Sequence, residues 1–389
     1  MDSRPIYMDC HATTPCDQRV VAAMLPFFTE QFGNPASAGH GYGWEALDAV
    51  QRSRQTLAQA INASSEEIVF TSGASEANNL AVKGIAEAYQ HQGRHIITVA
   101  TEHNAILDPC RYLQTKGFEV TYLPVQADGL IDLGDLLMAF RPDTILVSVM
   151  TANNETGVLQ PIAEIGAICQ SRHVLFHTDA AQAIGKVPLN VDAMHVDLMS
   201  LTAHKIYGPK GIGALYVRRD NPAVQLLPQM HGGGQERGMR SGTLYTPQIV
   251  GFAKAVELGL AEMAAEAGRL SQLRDRLWQR LHPLGGLYLN GNATRRLPGN
   301  LNISIASVDG QALREALQST VAVSSGSACS SAKSTPSYVL KALGRSDELA
   351  FSSIRFGIGR YNTEAEVDRV AEATSAAIAS LRKACLQAV

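Results

Sequence analysis

Two residues at the ends of apolar segments have side chains that suit imine chemistry. Lys205 follows the apolar run 196–201 and opens a polar turn, which places its amine at the mouth of a buried sheet. Desolvation lowers the pKa of a lysine and makes its amine available to attack a carbonyl group. Asp179 ends a second apolar segment, 174–178. A lysine that forms an imine and a buried aspartate that pairs with a pyridinium nitrogen are the two protein groups that pyridoxal phosphate requires.

Either residue alone would fit a plainer interpretation, a solvated turn lysine in an ion pair with a strand-end aspartate. The segment 71–80 adds a predicted strand end, a turn at Gly73 and a helix N-terminus. The free N–H groups and positive dipole end of such a helix suit a phosphate, and the Ser75 hydroxyl adds a donor. The same residue types also cap ordinary helices. Residues 240–243 form a second small, donor-rich turn.

Together these segments make the chain resemble the cysteine desulfurases of the NifS/IscS type, which are pyridoxal-phosphate enzymes of fold type I in the class V aminotransferase family. The resemblance runs over nearly the whole chain, and several motifs have the spacing of that family. The motifs that carry it are GNPAS at 33–37, TSGASEANN at 71–79, TEH at 101–103, NNETG at 153–157, DAAQ at 179–182, HK at 204–205, RSGT at 240–243, SSGSAC at 324–329 and SIRF at 353–356.

Short apolar runs alternate with helical patterns along the chain, which favours an α/β fold around a mostly parallel sheet. A helix is predicted at 161–170, and apolar residues at three- and four-residue steps predict a long amphipathic helix from about 250 to 282. The candidate strands are 68–70, 95–99, 120–123, 144–150, 174–178, 197–201 and 214–217.

The resemblance implies the pyridoxal-phosphate-dependent transferase fold of type I, with flanking helices on the central sheet and a smaller α+β domain. The sequence places the start of that smaller part near Tyr288, and the family adds the N-terminal segment to it. We therefore expect a large cofactor-binding domain at 16–257 and a small domain at 1–15 and 258–389. The small domain would carry a mobile cysteine loop at about 323–336.

Composition excludes several classes of protein. The 389 residues have a net charge of −3 and form no basic patch, so nucleic acid is not an expected partner. The six cysteines show no CxxC pair and no zinc-ligand spacing, which favours a reducing compartment and predicts no metal site. The N-terminus resembles neither a signal nor a transit peptide, and no apolar stretch is long enough to span a membrane. We expect a cytoplasmic protein.

Cys329 lies in a setting unlike that of a structural cysteine. Free cysteines are usually buried among apolar residues, and Cys169 fits that description. The flanks of Cys329 consist of Ser, Gly and Ala, so its loop could move a thiol but could not pack it tightly. An unperturbed thiol with a pKa of about 8.5 is only a few per cent ionised near neutrality, and Lys333 could raise that fraction. An incidental surface thiol is the alternative.

Arg355 is the candidate for binding a substrate carboxylate, because a planar guanidinium matches a carboxylate bidentately. A structural ion pair is the alternative from the residue alone. The resemblance implies that His103 stacks on the pyridine ring and shuttles protons, while Gln182 and Asn154 contact the phenolic oxygen and substrate region. The cofactor-binding set that it implies is Ala74, Ser75, His103, Asn154, Asp179, Gln182, Thr202, His204, Lys205 and Thr243. The substrate-binding set is Asn34, Asn154 and Arg355.

The reaction that the resemblance implies begins with pyridoxal phosphate held as an imine on Lys205. L-cysteine displaces the lysine, Lys205 removes the α-proton, and the pyridinium opposite Asp179 takes up the electrons. The Cys329 thiolate attacks the substrate sulfur, which leaves a persulfide on Cys329 and releases alanine. The family passes the persulfide to an acceptor, commonly a scaffold for iron–sulfur cluster assembly. Cys329 could transiently contact a cluster on such a partner.

The family is homodimeric, and Thr243 would contact the phosphate of the partner subunit's site. The present chain ends at Val389 without the longer tail that housekeeping members use to dock their scaffold. This leaves the acceptor open. The long Ser-rich loop around Cys329 resembles the mobile-loop class of the family.

Other functions remain open from the sequence. One is a different fold type I enzyme, such as an aminotransferase or a selenocysteine lyase. Another is a scaffold or regulatory protein without catalytic activity. An aminotransferase has no use for Cys329, and the joint presence of Lys205, Asp179, Cys329 and Arg355 argues against a scaffold.

Overall fold

The computed structural model describes residues 4–220, 223–325 and 335–387. The predicted nucleophile Cys329, its neighbour Lys333 and most of the predicted cysteine loop lie outside the described residues.

The strands form one large sheet and two small ones. Their bounds are β1 Ile6–Tyr7, β2 Ile68–Thr71, β3 His95–Val99, β4 Glu119–Leu123, β5 Thr144–Ser148, β6 Leu175–Asp179, β7 Leu198–Thr202, β8 Gly213–Val217, β9 Leu287–Leu289, β10 Asn300–Ile305, β11 Val321–Ala322 and β12 Ser353–Gly357.

Helices connect these strands. Their bounds are α1 Gln18–Met24, α2 Pro26–Thr29, α3 Gly41–Ala60, α4 Ala74–Tyr89, α5 Asn104–Gln114, α6 Leu133–Ala139, α7 Ile162–Ser171, α8 Thr246–Leu281, α9 Gly310–Leu317, α10 Tyr338–Ala342, α11 Asp347–Phe351 and α12 Glu364–Gln387. None of the helices in these three described ranges combines the length and apolarity that a bilayer crossing requires.

The large sheet has the strand order β2-β8-β7-β6-β5-β3-β4. Its neighbours pair in parallel except at β8, which runs antiparallel to both β2 and β7. This arrangement confirms the predicted α/β fold with a mostly parallel central sheet and flanking helices. Because β2 and β7 both oppose β8, the carboxyl ends of β2, β3, β5, β6 and β7 meet at one edge of the sheet.

Both faces of the large sheet are covered. Alternate residues of a strand point to opposite faces, so Phe70 joins one hydrophobic core and its neighbour Val69 joins another. The same division separates Ile97 from Ile96 in β3. A parallel sheet buried on both faces explains why its strands read as nearly continuous apolar runs in the sequence.

A third hydrophobic core lies around β10 and β12. It contains Met8 from the N-terminal segment and Val370 from α12, together with the second half of α8 at Leu273 and Leu277. The first half of α8 packs instead on the large-sheet core through Phe252 and Val256. One helix of 36 residues, about 54 Å long, thus links the two regions. The predicted domain boundaries at 15/16 and 257/258 stay a prediction.

The observed strand ends differ slightly from those predicted. β5 ends at Ser148, whereas the prediction extended it to Met150, and β6 and β7 each begin and end one residue later than predicted. Beyond the end of β5, the Met150 N–H donates to the Glu102 side chain at 2.5 Å and not to a neighbouring strand. A side-chain acceptor outside the sheet cannot be read from the apolar run itself.

Candidate active site

A cavity of about 440 Å³ lies at the carboxyl edge of the large sheet. Residues after β2, β3, β5, β6 and β7 line it, and the N-terminal segment closes one side through His11 and Thr13. Parallel α/β sheets bind ligands at this edge, since the loops after adjacent strands converge there. The predicted site residues that line the cavity are Ala74, Ser75, His103, Asn154, Asp179, Gln182, Thr202, His204, Lys205 and Arg355.

Of the predicted site residues that the structure describes, two do not line this cavity. Asn34 is exposed, and its side chain accepts a hydrogen bond from the Ala36 N–H at 2.9 Å, as in an ordinary turn. Thr243 is also exposed, at the end of the donor-rich turn 240–243. The Arg240 side chain forms an ion pair with Glu76 at 2.7 Å, which holds the turn against α4.

Asp179 ends β6 with its carboxylate held in place by two donors. Asn78 Nδ2 donates to one oxygen at 2.7 Å, and the Ala181 N–H donates to the other at 2.8 Å. The residue is 6 % exposed and borders the cavity. A carboxylate that is buried and oriented in this way needs a nearby cation, because an uncompensated buried charge is costly.

The N-terminus of α4 faces the same cavity through Gly73, Ala74 and Ser75. Gly73 has a φ of +149°, and no side chain caps this helix end. Glycine is also required where the turn meets β8, because a Cβ on Gly213 would lie 2.7 Å from the Gly73 backbone. The first N–H groups of the helix have no intrahelical acceptor and present a positive dipole end, which suits an anionic group.

His103 lies at the N-terminus of α5, directly after the turn that follows β3. Its Nδ1 accepts a hydrogen bond from the Ala105 N–H at 3.0 Å, so a neutral ring carries its proton on Nε2. Burial, and then the charge of Lys205, lower the pKa of His103. A neutral imidazole at neutral pH is thereby held beside the cavity.

His204 and Thr202 line the cavity at the end of β7. Burial lowers the pKa of His204 to about 4, with further contributions from the charges of Lys205, Lys210 and Lys186. Its Nδ1 lies 3.1 Å from the Thr13 hydroxyl of the N-terminal segment. The chain therefore surrounds the Lys205 amine with cationic groups and neutral donors, an arrangement that favours an anionic ligand.

Arg355 projects into the cavity from β12 of the small sheet. Its guanidinium pairs with Asp9 at 2.6 Å and donates to the Asn154 carbonyl at 2.8 Å. Its Nε is buried and has no hydrogen-bond partner within the described ranges. Burial raises the pKa of Asp9, while the charge of Arg355 opposes that shift. A carboxylate ligand that reaches Arg355 would approach a group that already has one acidic partner.

Four functional neighbours were missed by sequence reasoning: Asp9, His11, Asn78 and Lys186. Asn78 lies within a motif used above, where a fully buried amide on the apolar face of α4 was an available signal. Asp9 and His11 reach the site from a segment far from it in sequence, and their residue types gave no signal. Lys186 lies close in sequence to Gln182, but residues 181–186 form turns, so no helical pattern predicts the contact. His11 has a buried Nε2 without a partner among the residues described.

The residues present fit pyridoxal phosphate. Asp179 can face the pyridinium nitrogen, and the N-terminus of α4 with Thr202 and His204 can hold the phosphate. Lys205 lies in the same cavity within the turn that follows β7. Across the described portions of the chain, no group of three or more His, Cys, Asp or Glu side chains could hold a metal ion.

Comparison with known proteins agrees with this geometry. Residues 6–370 match the class-V aminotransferase family. The chain is 56% identical over 379 residues to the cysteine desulfurase IscS of Methylococcus capsulatus, covering 97% of this chain and 94% of that protein. It is 55% identical over 370 residues to the cysteine desulfurase of Homo sapiens, covering 95% of this chain and 80% of that protein.

Solved structures show the same architecture. A NifS-like protein superposes with a TM-score of 0.90 at 38% identity, over 97% of this chain and 100% of that chain. A structure of SspA in complex with cysteine superposes with a TM-score of 0.82 at 38% identity, over 92% of this chain and 100% of that chain.

The contacts of Asp179 generate a first prediction. Asp179→Asn keeps the shape of the side chain, and Asn78 can rotate its amide to present Oδ1, which has no partner among the described residues. Because the charge opposite the pyridinium is lost, we expect the affinity for pyridoxal phosphate to fall at least about tenfold. Titration of the apoprotein with the cofactor, followed by absorbance, measures this affinity.

Asp108→Asn is the matched control for that experiment. Asp108 lies on α5 with 65% of its side chain exposed, so its charge is screened by solvent. Its neutralisation should leave the affinity unchanged. An equal affinity in Asp179→Asn and wild type would contradict the assignment of Asp179.

Proposed function

The chain belongs to the class V aminotransferase family and is a pyridoxal-phosphate-dependent cysteine desulfurase of the NifS/IscS type, and on this premise we propose the roles of its residues and its assembly. Such an enzyme converts L-cysteine to L-alanine and transfers the sulfur to one of its own cysteines as a persulfide. The observation that carries the proposal is the meeting of Lys205, Asp179 and Arg355 around one cavity.

Bound pyridoxal phosphate withdraws electrons from the carbon atoms of the amino acid that is attached to it. Arg355 binds the carboxylate of L-cysteine, and its buried Nε and its position beside Asn154 support that role. The Lys205 amine removes the α-proton, and Asp179 holds a fixed negative charge opposite the pyridinium nitrogen. His103, neutral at the working pH, exchanges protons at the same face.

Cys329 attacks the sulfur of the substrate in this proposal. The carbon–sulfur bond breaks, a sulfur–sulfur bond forms on Cys329, and the three-carbon product takes up protons and leaves as alanine. The described cysteines are poor alternatives. Burial raises the pKa of the Cys10 and Cys110 thiols to about 12, and burial also raises the pKa of Cys16 and Cys169. Thiols with such values remain protonated and unreactive near neutrality.

A homodimer is the proposed assembly. Thr243 is exposed and does not line the cavity of its own chain, as expected for a residue that serves a partner's site. It lies close in sequence to Tyr245, whose ring contacts Phe28 edge to face at 6.3 Å. The rings of Phe32 and Tyr42, which follow Phe28 in the sequence, stack with their centroids 5.3 Å apart. The large exposed side chains of this region, a typical signature of an interaction surface, are Leu25, Phe28, Phe32, Tyr42, Trp44 and Tyr245.

The remaining parts of the proposal concern the cell. We place the enzyme in the cytoplasm and assign its persulfide to an acceptor protein, such as a scaffold for iron–sulfur cluster assembly. The named relatives are desulfurases, which disfavours the aminotransferase and non-catalytic interpretations. Asn34 retains its proposed place near the substrate only if the partner subunit completes the site, since it does not line the cavity of its own chain.

The role of Cys329 is tested by Cys329→Ser. This variant should bind L-cysteine at the cofactor, because no described cofactor contact changes, and it should form neither persulfide nor alanine. Mass spectrometry of wild type after L-cysteine treatment should place the additional sulfur on the peptide that contains Cys329. Cys16→Ser, a partly buried cysteine outside the cavity, serves as the control and should retain both products. Persulfide on Cys385 with activity retained in Cys329→Ser would refute the assignment.

The shared active site is tested with mixed dimers. Thr243→Glu should place a negative charge against the phosphate and empty the site, because like charges repel strongly in a partly desolvated pocket. Lys205→Ala is inactive for its own reason. In a mixed dimer of the two variants, one site collects both defects and the other collects neither, so activity should return to up to half of wild type per dimer.

Thr243→Ser is the matched control for the mixed dimers, since it keeps the hydroxyl and should keep the activity. If Thr243 serves the site of its own chain, every site of the mixed dimer carries one defect. Purified mixed dimers without any recovered activity would therefore count against a shared site.

A further inference from the structure

Lys186 is a buried cationic group that the reaction described above does not use. It lies in the turn region after β6, seven residues beyond Asp179. It borders a second, smaller cavity of about 40 Å³ that also contacts Lys205, His11 and Cys10. Both cavities are lined by Lys205 and His11, whereas Lys186 lines only the smaller one.

The Lys186 ammonium is held at a cost in stability. The residue as a whole is partly exposed, but burial lowers its pKa to about 7, and the charge of Lys205 adds to this effect. The ammonium is thus the enclosed end of the side chain. A buried lysine is retained only where something compensates for or uses it.

The groups around Lys186 do not form an ion pair that would explain its burial. The nearby acidic groups are Glu266, which pairs with Arg360 at 2.9 Å, and the Cys10 thiol, whose pKa burial raises to about 12. The remaining charged neighbours are cations, Lys205 and Arg355. His11 is neutral, because burial lowers its pKa.

The described contact of Lys186 is with the amide of Gln182. Lys186 Nζ donates to Gln182 Oε1 at 3.2 Å, and His11 Nδ1 lies 3.4 Å from the same oxygen. Gln182 Nε2 donates one hydrogen to the His11 carbonyl at 2.8 Å. Because Gln182 Nε2 donates to the His11 carbonyl, the atom that faces Lys186 is the amide oxygen. Lys186 donates to that oxygen and holds the amide in this orientation.

The consequence of that orientation reaches the main cavity. An amide NH₂ has two hydrogens, and only one of them is used by the His11 carbonyl. Gln182 lines the main cavity, so its second N–H is available to an acceptor there. If the amide were reversed, Gln182 would present an oxygen to the cavity and repel an anionic oxygen of the cofactor.

We propose that Lys186 is a positioning residue of the active site, which fixes the Gln182 amide so that its N–H donates to the phenolic oxygen of the bound cofactor. This inference rests on the proposed function, since it requires the cofactor to be bound to Lys205. A donor to that oxygen stabilises its anionic form and lowers the pKa of the lysine-bound cofactor. The pH at which the cofactor's absorbance changes therefore reports how the Gln182 amide is oriented.

The test is a pH titration of the visible absorbance of the lysine-bound cofactor. Lys186→Met has similar length but no donor, so Gln182 Oε1 loses the hydrogen bond from Lys186. The amide is then held by the His11 carbonyl alone, and its donation to the cofactor weakens. We expect the titration midpoint to rise by about 1 pH unit. Lys186→Arg keeps a donor and should return the midpoint to the wild-type value. Lys254→Met, which removes a surface lysine paired with Glu257, is the charge control and should not shift it.

A double-variant comparison keeps the inference testable if Lys186→Met fails to fold. Gln182→Met replaces one member of the polar pair with an apolar group, and Gln182→Met/Lys186→Met replaces both. Replacement of both members leaves no buried polar group without its partner, which proteins tolerate better than the loss of one partner. If Lys186 acts mainly through Gln182, adding Lys186→Met to Gln182→Met should move the midpoint by less than about half of the shift that Lys186→Met causes in the wild-type protein.

Three results would overturn the inference. A midpoint in Lys186→Met equal to that of wild type would show that Lys186 does not orient the amide. A shift on adding Lys186→Met to Gln182→Met that is as large as the shift in the wild-type protein would show that Lys186 acts by another route. A wild-type protein that binds no cofactor at Lys205 would overturn the proposed function, and this inference with it.

Discussion

The site depends on how a buried carboxylate is held at the end of a parallel strand. Asp179 ends β6 among apolar strands, where an ionised group without partners would be strongly destabilising. Asn78 and the Ala181 N–H each satisfy one oxygen, which fixes the plane of the carboxylate at the cavity. Asn78 comes from α4, the helix whose N-terminus faces the same cavity. The charge that orients the ring and the dipole that suits the phosphate are therefore set by one helix.

The other charged groups around the cavity complement the Asp179 carboxylate. Lys205 and Arg355 place positive charge around the cavity, while burial keeps His103 and His204 neutral. An anionic cofactor and an amino-acid carboxylate are stabilised in such a field, whereas cations are repelled. The ion pair between Arg355 and Asp9 moderates the field at the substrate end and ties β12 to the N-terminal segment. The cavity is thus closed by segments that are distant in sequence.

The features that depend on local sequence patterns, the strands, the helices and the residues at strand ends, were mostly predicted from the sequence. Strand-end residues such as Asp179 and Lys205 could be placed together because parallel strands end at a common edge. Asn78 gave a signal that was not used, a buried amide on the apolar face of α4. Lys186 gave none, since residues 181–186 form turns and no helical pattern predicts its contact with Gln182. Strand ends shifted where a side chain such as Glu102 takes up a backbone N–H. Thr243 does not line the cavity of its own chain, and a single chain cannot test its role.

The central claim is that Lys205 carries the cofactor at the edge defined by Asp179. Its most direct test is reduction of the yellow protein with borohydride, chymotryptic digestion and mass spectrometry of the labelled peptide. Cleavage after Tyr207 separates Lys205 from Lys210, so the two lysines are distinguished. The account predicts the pyridoxyl mass on the peptide that contains Lys205 and no label in Lys205→Ala. A label on Lys210 or Lys186, retained in Lys205→Ala, would contradict it.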